Sequence, residues 1–231
     1  MRLPLLIAIL LVPVSSAVAQ ERMVGLLTLP EVFGEGPCHE FLPEEVPLYA
    51  VIGSSEPIGE IRVTSYWTFP EAGGCEGLRV HVYKGDGARV GALPTAEFDY
   101  EAPAAIVLEE QNRWFRLLLS NGAAWVKESE NNEYYPLEVL LVNGLTYITE
   151  ASEPALLARP GGVDVVATAS PGDPVRVVDF MRVDNQLWLF VEVLSDSICE
   201  SDGEPRVLSQ GWLRAHGLSG QPSVWFYSRG C

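Results

Sequence analysis

The sequence predicts an all-β protein built of two small, related β-barrels in tandem, each carrying an insertion. Three observations lead there. Short runs of Val, Leu, Tyr and Phe alternate with clusters of Gly, Pro, Ser and Asp over the 231 residues, the pattern of strands bounded by turns. Helical periodicity is almost absent. A tryptophan-led alternating stretch followed by a small-residue-Trp restart occurs twice, once near residue 114 and again near residue 188.

The first nineteen residues are expected to stand apart from the fold. Arg2 gives a positive start, Leu3 to Val14 an apolar segment broken by Pro4 and Pro13, and Ala17-Val18-Ala19 a small-residue cleavage motif before Gln20. This is the layout of a secretory signal peptide, and its apolar run is too short to span a bilayer. No cysteine follows directly to take a lipid. The remainder is expected to be exported, periplasmic or extracellular, with no membrane span.

Residues 20–149 are assigned to the first barrel with its insertion and connecting segment. VGLLTL (24–29) reads as an opening strand. PLYAVIGSSEPIGEIRV, from Pro47, reads as strand, Gly-Ser turn, strand. Residues 62–84 hold Trp67, Cys75 and the alternating run Leu78 to Tyr83, and Lys84-Gly85-Asp86-Gly87 makes a strong turn. Ala104 to Leu108 and Trp114 to Leu119 are further strands. Asn121-Gly122 then separates two apolar runs, a strong hairpin signal. KESENNEYY (127–135) is polar and solvated. PLEVLLVNGLTYIT allows two readings, a hairpin about Asn143-Gly144 or a short helix stopping at Gly144, which periodicity does not separate.

The segment Glu150 to Pro154 is the expected join, and residues 150–231 form the second barrel. Val163 to Ala169 is a strand, Pro171-Gly172-Asp173-Pro174 a turn, and Val175 to Val183 a longer strand. Asp184-Asn185-Gln186 turns tightly into Trp188 to Leu194. An acidic insertion, Ser195 to Ser209, precedes Gly211-Trp212-Leu213 and a short terminal strand.

The halves match where packing would require it. Leu48-Tyr49-Ala50-Val51-Ile52-Gly53 parallels Leu156-Leu157-Ala158-Arg159-Pro160-Gly161, and Gln111-Asn112-Arg113-Trp114 parallels Asn185-Gln186-Leu187-Trp188. Behind each tryptophan the alternate residues are apolar: Phe115, Leu117 and Leu119, then Leu189, Val191 and Val193. Period-two spacing puts each triplet on one strand face, the face that fills a core. Ala124-Trp125-Val126 parallels Gly211-Trp212-Leu213. The pattern of a leading L-x-A-x-x-G strand, Trp-x-x-Val/Leu, a hairpin and Gly-Trp-Val resembles bacterial SH3 domains of the SH3b type. The second half fits from about Pro154 onward. The first is interrupted by some forty residues around Trp67 and Cys75. What the resemblance implies is a five-stranded SH3-like barrel per copy, used for non-catalytic attachment to a ligand, often at the cell wall.

Charge and cysteines narrow the function classes. The formal net charge is −16, and loss of the leader would remove one base and no acid. So acidic a surface repels nucleic acid and anionic lipid; it serves solubility or, on a second reading, a basic partner. Four cysteines, Cys38, Cys75, Cys199 and Cys231, form an even set in an exported chain, which implies two disulfides with three possible pairings. Two lie in each half, so Cys38–Cys75 and Cys199–Cys231 are the preferred pairs, each worth roughly 3–4 kcal/mol on the chain-entropy account. A metal site is disfavoured by the lack of close Cys pairs.

No catalytic constellation emerges. His39 adjoins Cys38, but neighbours on an extended chain point to opposite faces. His81 and His216 share no metal-ligand spacing. Asp196, Glu200, Asp202 and Glu204 cluster as carboxylates do around calcium but lack the regular loop spacing. No metal and no cofactor is expected. The ligand-binding candidates are Trp188, Trp114 and Tyr49. By alternation both tryptophans point away from the apolar triplets, so they either line a groove or lie under the inserted loops; Tyr49, Tyr134 and Tyr135 could line the first groove. Trp125 and Trp212 are expected to pack structurally. The expectation is therefore a monomeric, non-enzymatic binding or scaffolding protein of the cell envelope, with a peptide or peptidoglycan fragment as ligand. A secreted hydrolase or protease inhibitor with active groups in the insertions is the alternative, and a third reading is two tightly packed barrels with both tryptophans buried and no groove.

Overall fold

The described residues are mostly β-sheet, 56 % strand and 4 % helix, as an all-β chain requires. The structure, a computed structural model, describes residues 21–29, 32, 45–69, 74–99, 102–142, 144–197 and 204–227, with side chains omitted at 63–69 and 74–79. Residues 1–20, which include the expected leader, and Cys38, His39, Cys199 and Cys231 fall outside the described residues, and Cys75 is described by its backbone alone.

The first half contributes β1 (Gly25–Leu27), β2 (Val46–Leu48), β3 (Gly59–Phe69), β4 (Gly74–Lys84), β5 (Arg89–Ala92), β6 (Thr95–Asp99), β7 (Ala102–Gln111), β8 (Trp114–Leu119), β9 (Gly122–Lys127) and β10 (Tyr134–Pro136). One sheet runs β10-β1-β7-β8-β9, with β6 also on β7, and another β2-β3-β4-β5. A bridge between Tyr49 and Trp125 links them at β9. The second half contributes β11 (Thr146–Ile148), β12 (Ala155–Leu157), β13 (Val165–Thr168), β14 (Pro174–Val183), β15 (Gln186–Leu194), β16 (Val207–Arg214) and β17 (Val224–Phe226), ordered β13-β12-β16-β15-β14-β11-β17.

Placed side by side, the two orders are the same. Counting across the Tyr49–Trp125 bridge, β3-β2-β9-β8-β7-β1-β10 repeats as β13-β12-β16-β15-β14-β11-β17, antiparallel throughout. Register agrees too. Arg116 opposes Trp125 as Phe190 opposes Trp212, and Val107 opposes Leu117 as Val177 opposes Val191. Both β7 and β14 break register just after those valines. Pairing follows an open path from β13 to β17, so hydrogen bonding does not close this sheet into a barrel among the described residues.

The expected triplets fill two separate cores. Phe115, Leu117 and Leu119 pack with Leu27, Leu48 and Ile61. Leu189, Val191 and Val193 pack with Leu156, Val175 and Leu213. A buried residue of this kind contributes roughly 1.5–3 kcal/mol by leaving water, so each half holds its own hydrophobic reserve. The strands of the first half without a counterpart in the second are β4, β5 and β6, between β3 and β7. In the second half the Ser195 N–H, just after β15, donates to the Arg206 carbonyl, just before β16, at 2.9 Å.

One open reading closes and one expected turn shifts. Of the two readings of PLEVLLVNGLTYIT, Leu137–Leu141 takes the helical one, as a five-residue helix, α1, ending before Gly144; Leu137 and Leu141 are drawn into the second core. Leu119 opposes Gly122, so Ser120-Asn121 forms the β8–β9 turn, one residue before the Asn-Gly pair. β11 hydrogen-bonds to β14 and β17, which puts Thr146–Ile148 with the second sheet although it precedes residue 150. The division by pairing falls between β10 and β11.

A third apolar cluster binds the halves together. Met23, Leu26 and Ala104 are buried, with Ile106 and Phe98 from the first half and Leu140, Trp225 and Phe226 from the other side of the division. Glu138 of α1 pairs with Arg182 of β14 at 2.8 Å. The His216 Nε2–H donates to the Met23 carbonyl at 2.6 Å. Burial holds the His216 imidazole below its ordinary range, with Arg22 and Arg182 acting the same way, while the Met23 hydrogen bond and Glu138 oppose it.

Candidate functional site

The two tryptophans that head β8 and the corresponding part of β15 occupy equivalent places in unlike surroundings. Trp114 lies opposite Lys127, and Trp188 lies opposite Arg214. Tyr49 opposes Trp125 where Leu157 opposes Trp212. The sequence correspondence therefore holds in space for Trp114 and Trp188 and for Tyr49 and Leu157. The turns do not coincide. Asn112-Arg113 makes the first, with φ of 53° and 66°, and Asp184-Asn185 the second, with φ of 50° and 60°. Both are paired left-handed residues suited to a tight hairpin. Since Gln186 pairs with Val183, Trp188 sits two residues beyond its turn, whereas Trp114 sits directly after its own.

In the first half Tyr49 closes over Trp114, edge to face, with centroids 5.2 Å apart and planes at 82°. This geometry lets the positive ring edge meet the negative ring face. Both rings are half-buried. In the second half Leu157 stands where Tyr49 stands. A cavity of about 230 Å³ opens beside Trp188, walled by Leu157, Glu153, Gly162, Arg214 and His216. Trp188 itself is only 4 % exposed: of the two readings, a groove-lining ring or one lying under a loop, the ring stands closer to the second, as a wall of a small recess that residues 152–162 help to line. The Arg214 guanidinium lies 5.6 Å from the Trp188 ring centroid and 3.9 Å from Glu153. Both charges are partly exposed, so their mutual pairing is worth little, and each stays available to a ligand.

The sequence candidates are thus divided. Tyr49 and Trp114 are brought together but on each other, filling the place a ligand would take. Trp188 lies in another sheet from that pair and borders a recess. Trp125 and Trp212 are half-buried on the outer side of their strands, with Phe190 stacked on Trp212 at 5.2 Å. Tyr134 packs against Phe115 and Tyr135 against Phe98. Burial, then Tyr135's hydrogen bond to Glu133, pushes its phenol up to about 12.

Sequence reasoning did not single out Arg214, Glu153 or Leu157. The repeat held the signal for Leu157, a small aliphatic residue aligned with a tyrosine. Among the described residues no group of three or more His, Cys, Asp or Glu could hold a metal ion, and no helix is long and apolar enough to cross a membrane. Of the acidic loop, Glu204 pairs with Arg176 at 3.2 Å.

A larger cleft lies along the division. It measures about 700 Å³ and is lined by Met23 and Ile106 of the first half and by Tyr147, Glu150, Pro222 and Trp225 of the second. Comparison with known proteins adds no relative: no family profile, no curated sequence and no solved structure matches this chain.

Proposed function

We propose that this protein is a non-catalytic binding or scaffolding protein of the bacterial envelope, exported by its leader and made of two SH3b-type units. Its ligand is a peptide or peptidoglycan fragment held beside Trp188 in the second unit. The observation that carries this reading is the recess at Trp188, whose counterpart in the first half is occupied by the chain's own Tyr49. A site filled in one copy and vacant in the other is what one binding copy and one structural copy would leave. An aromatic wall supplies apolar contact at small entropic cost. Arg214 and Glu153 offer opposite charges to the two ends of a peptide, or to its carboxylate and amine groups. The repeated strand order and the L-x-A-x-x-G and Gly-Trp motifs support the SH3b assignment.

Co-sedimentation with purified peptidoglycan sacculi, followed by titration with their soluble peptide fragments, tests the reading. The natural protein should bind. Leu157→Tyr, which puts into the recess the side chain that the first half carries, should abolish binding, and Leu208→Ser, an exposed position outside it, should not. Arg214→Gln gives a second probe of the same recess and should weaken binding. Undiminished binding by both recess variants, or none by the natural protein, would overturn the assignment.

A further inference from the structure

We infer that the cleft between the halves is a second binding site, distinct from the Trp188 recess, for a small organic cation: an ammonium group carried on an apolar or aromatic body. Four features of the cleft argue for this ligand class. It is large, about 700 Å³, within the usual range for small-molecule sites. Its walls are apolar, Met23 and Ile106 on one side and Pro222 and Trp225 on the other.

Two rings form its aromatic side. Tyr147 of β11 and Trp225 of β17 are directly opposed cross-strand partners, both half-buried and both lining the cleft. Aromatic faces attract ammonium groups, tryptophan most strongly, and more so where water is displaced. Glu150 follows three residues after Tyr147 and is the one charged residue of the lining among the described residues. No ion pair reaches it among the described residues. A carboxylate without a counter-ion, beside two rings, in a chain of formal charge −16, complements a cation and repels an anion.

The cleft is also stable enough to preorganise such a site. Met23, which lines it, belongs to the buried cluster with Leu26 and Ala104. The rim is fixed where the Thr149 hydroxyl donates to the Pro222 carbonyl at 2.6 Å and where His216 holds Met23. Tyr147 is further braced by Tyr227, with ring centroids 4.7 Å apart.

Calorimetric titration of the protein with benzyltrimethylammonium, benzyl alcohol and phenylacetate separates charge from apolar contact. The cation should bind about tenfold more tightly than the alcohol, the difference expected of a partly desolvated cation–π contact helped by a carboxylate. Phenylacetate should bind most weakly. Glu150→Gln should remove most of the cation's advantage while leaving the alcohol unchanged, and Trp225→Leu should weaken both, with near-UV circular dichroism confirming the fold. Glu109→Gln, an exposed acid on β7, should have no effect. Equal binding of cation and alcohol, an unchanged ratio in Glu150→Gln, or an equal loss in Glu109→Gln would overturn the proposal. Leu157→Tyr should leave the cation's affinity intact, so failure at the Trp188 recess and failure here read out separately.

Discussion

Leu157→Tyr has a structural consequence that can be worked out from the repeat alone. At the equivalent place Tyr49 meets the face of Trp114 at 5.2 Å and 82°, and an aromatic pair of this geometry is worth about 0.5–1.5 kcal/mol beyond its burial. The recess of about 230 Å³ beside Trp188 can receive the added ring without moving the strand. The substitution should therefore stabilise the protein, although it enlarges a half-buried residue. For a chain of this size each kcal/mol moves the melting temperature by about 2–4 °C, so the gain should be about 1–6 °C by differential scanning calorimetry. The transition of the second half should carry the gain if the two halves melt apart. Destabilisation by about 1–3 kcal/mol, the usual cost of overpacking, would show that the two sites are not equivalent and would refute the argument from duplication.

Three further outcomes follow from particular contacts. His216 is held neutral chiefly by burial, so the unfolded chain takes up a proton that the folded chain resists. Its contribution is fully present above the ordinary histidine range and is lost as pH falls from there towards the lower folded value. The urea midpoint of the natural protein should accordingly drop between pH 7 and pH 5 relative to His216→Gln, which keeps a donor for the Met23 carbonyl; parallel profiles would contradict this. Gly217→Ala would drive a Cβ into the Ala151 carbonyl oxygen, a backbone atom that cannot swing aside, and should cost at least about 1–3 kcal/mol in chemical denaturation. Leu189→Ala, at a residue with no exposed surface, should cost about 2–5 kcal/mol, and a loss below 1 kcal/mol would mean that the second core is not packed as described.

Much of the strand pattern is legible in the sequence because it is local. Phe115, Leu117 and Leu119 announce a buried face through alternation alone, and the repeat of that text around Trp188 announces a second sheet with the same register. Lys84-Gly85-Asp86-Gly87 and Pro171-Gly172-Asp173-Pro174 mark their turns through residues that accept positive φ, with Gly87 at 82° and Gly172 at 89°. What is not legible depends on distant partners. Thr146–Ile148 is three residues long, and nothing within it says that β14 and β17 will flank it. The helical reading of Leu137–Leu141 wins because Leu137 and Leu141, one turn apart, both reach the second core. Alternation correctly turns Trp188 away from the apolar triplet. That residues 152–162 then cover it is a matter of loop path, to which period-two arguments do not extend. The cleft is a step further removed, since Met23 and Trp225 are brought to it from opposite ends of the described chain.

The strand β17 is the last segment described, yet it supplies Trp225 to the shared cluster and an outer partner to β11. During synthesis, then, the amino-terminal sheet can assemble early while one flank of it stays wet until the carboxyl end has been made. A chain ending at Ala215 would expose Met23, Leu26 and Ala104 together with the bare edge of β11. Truncation from that end should consequently produce a species that sticks to itself rather than a shorter working protein.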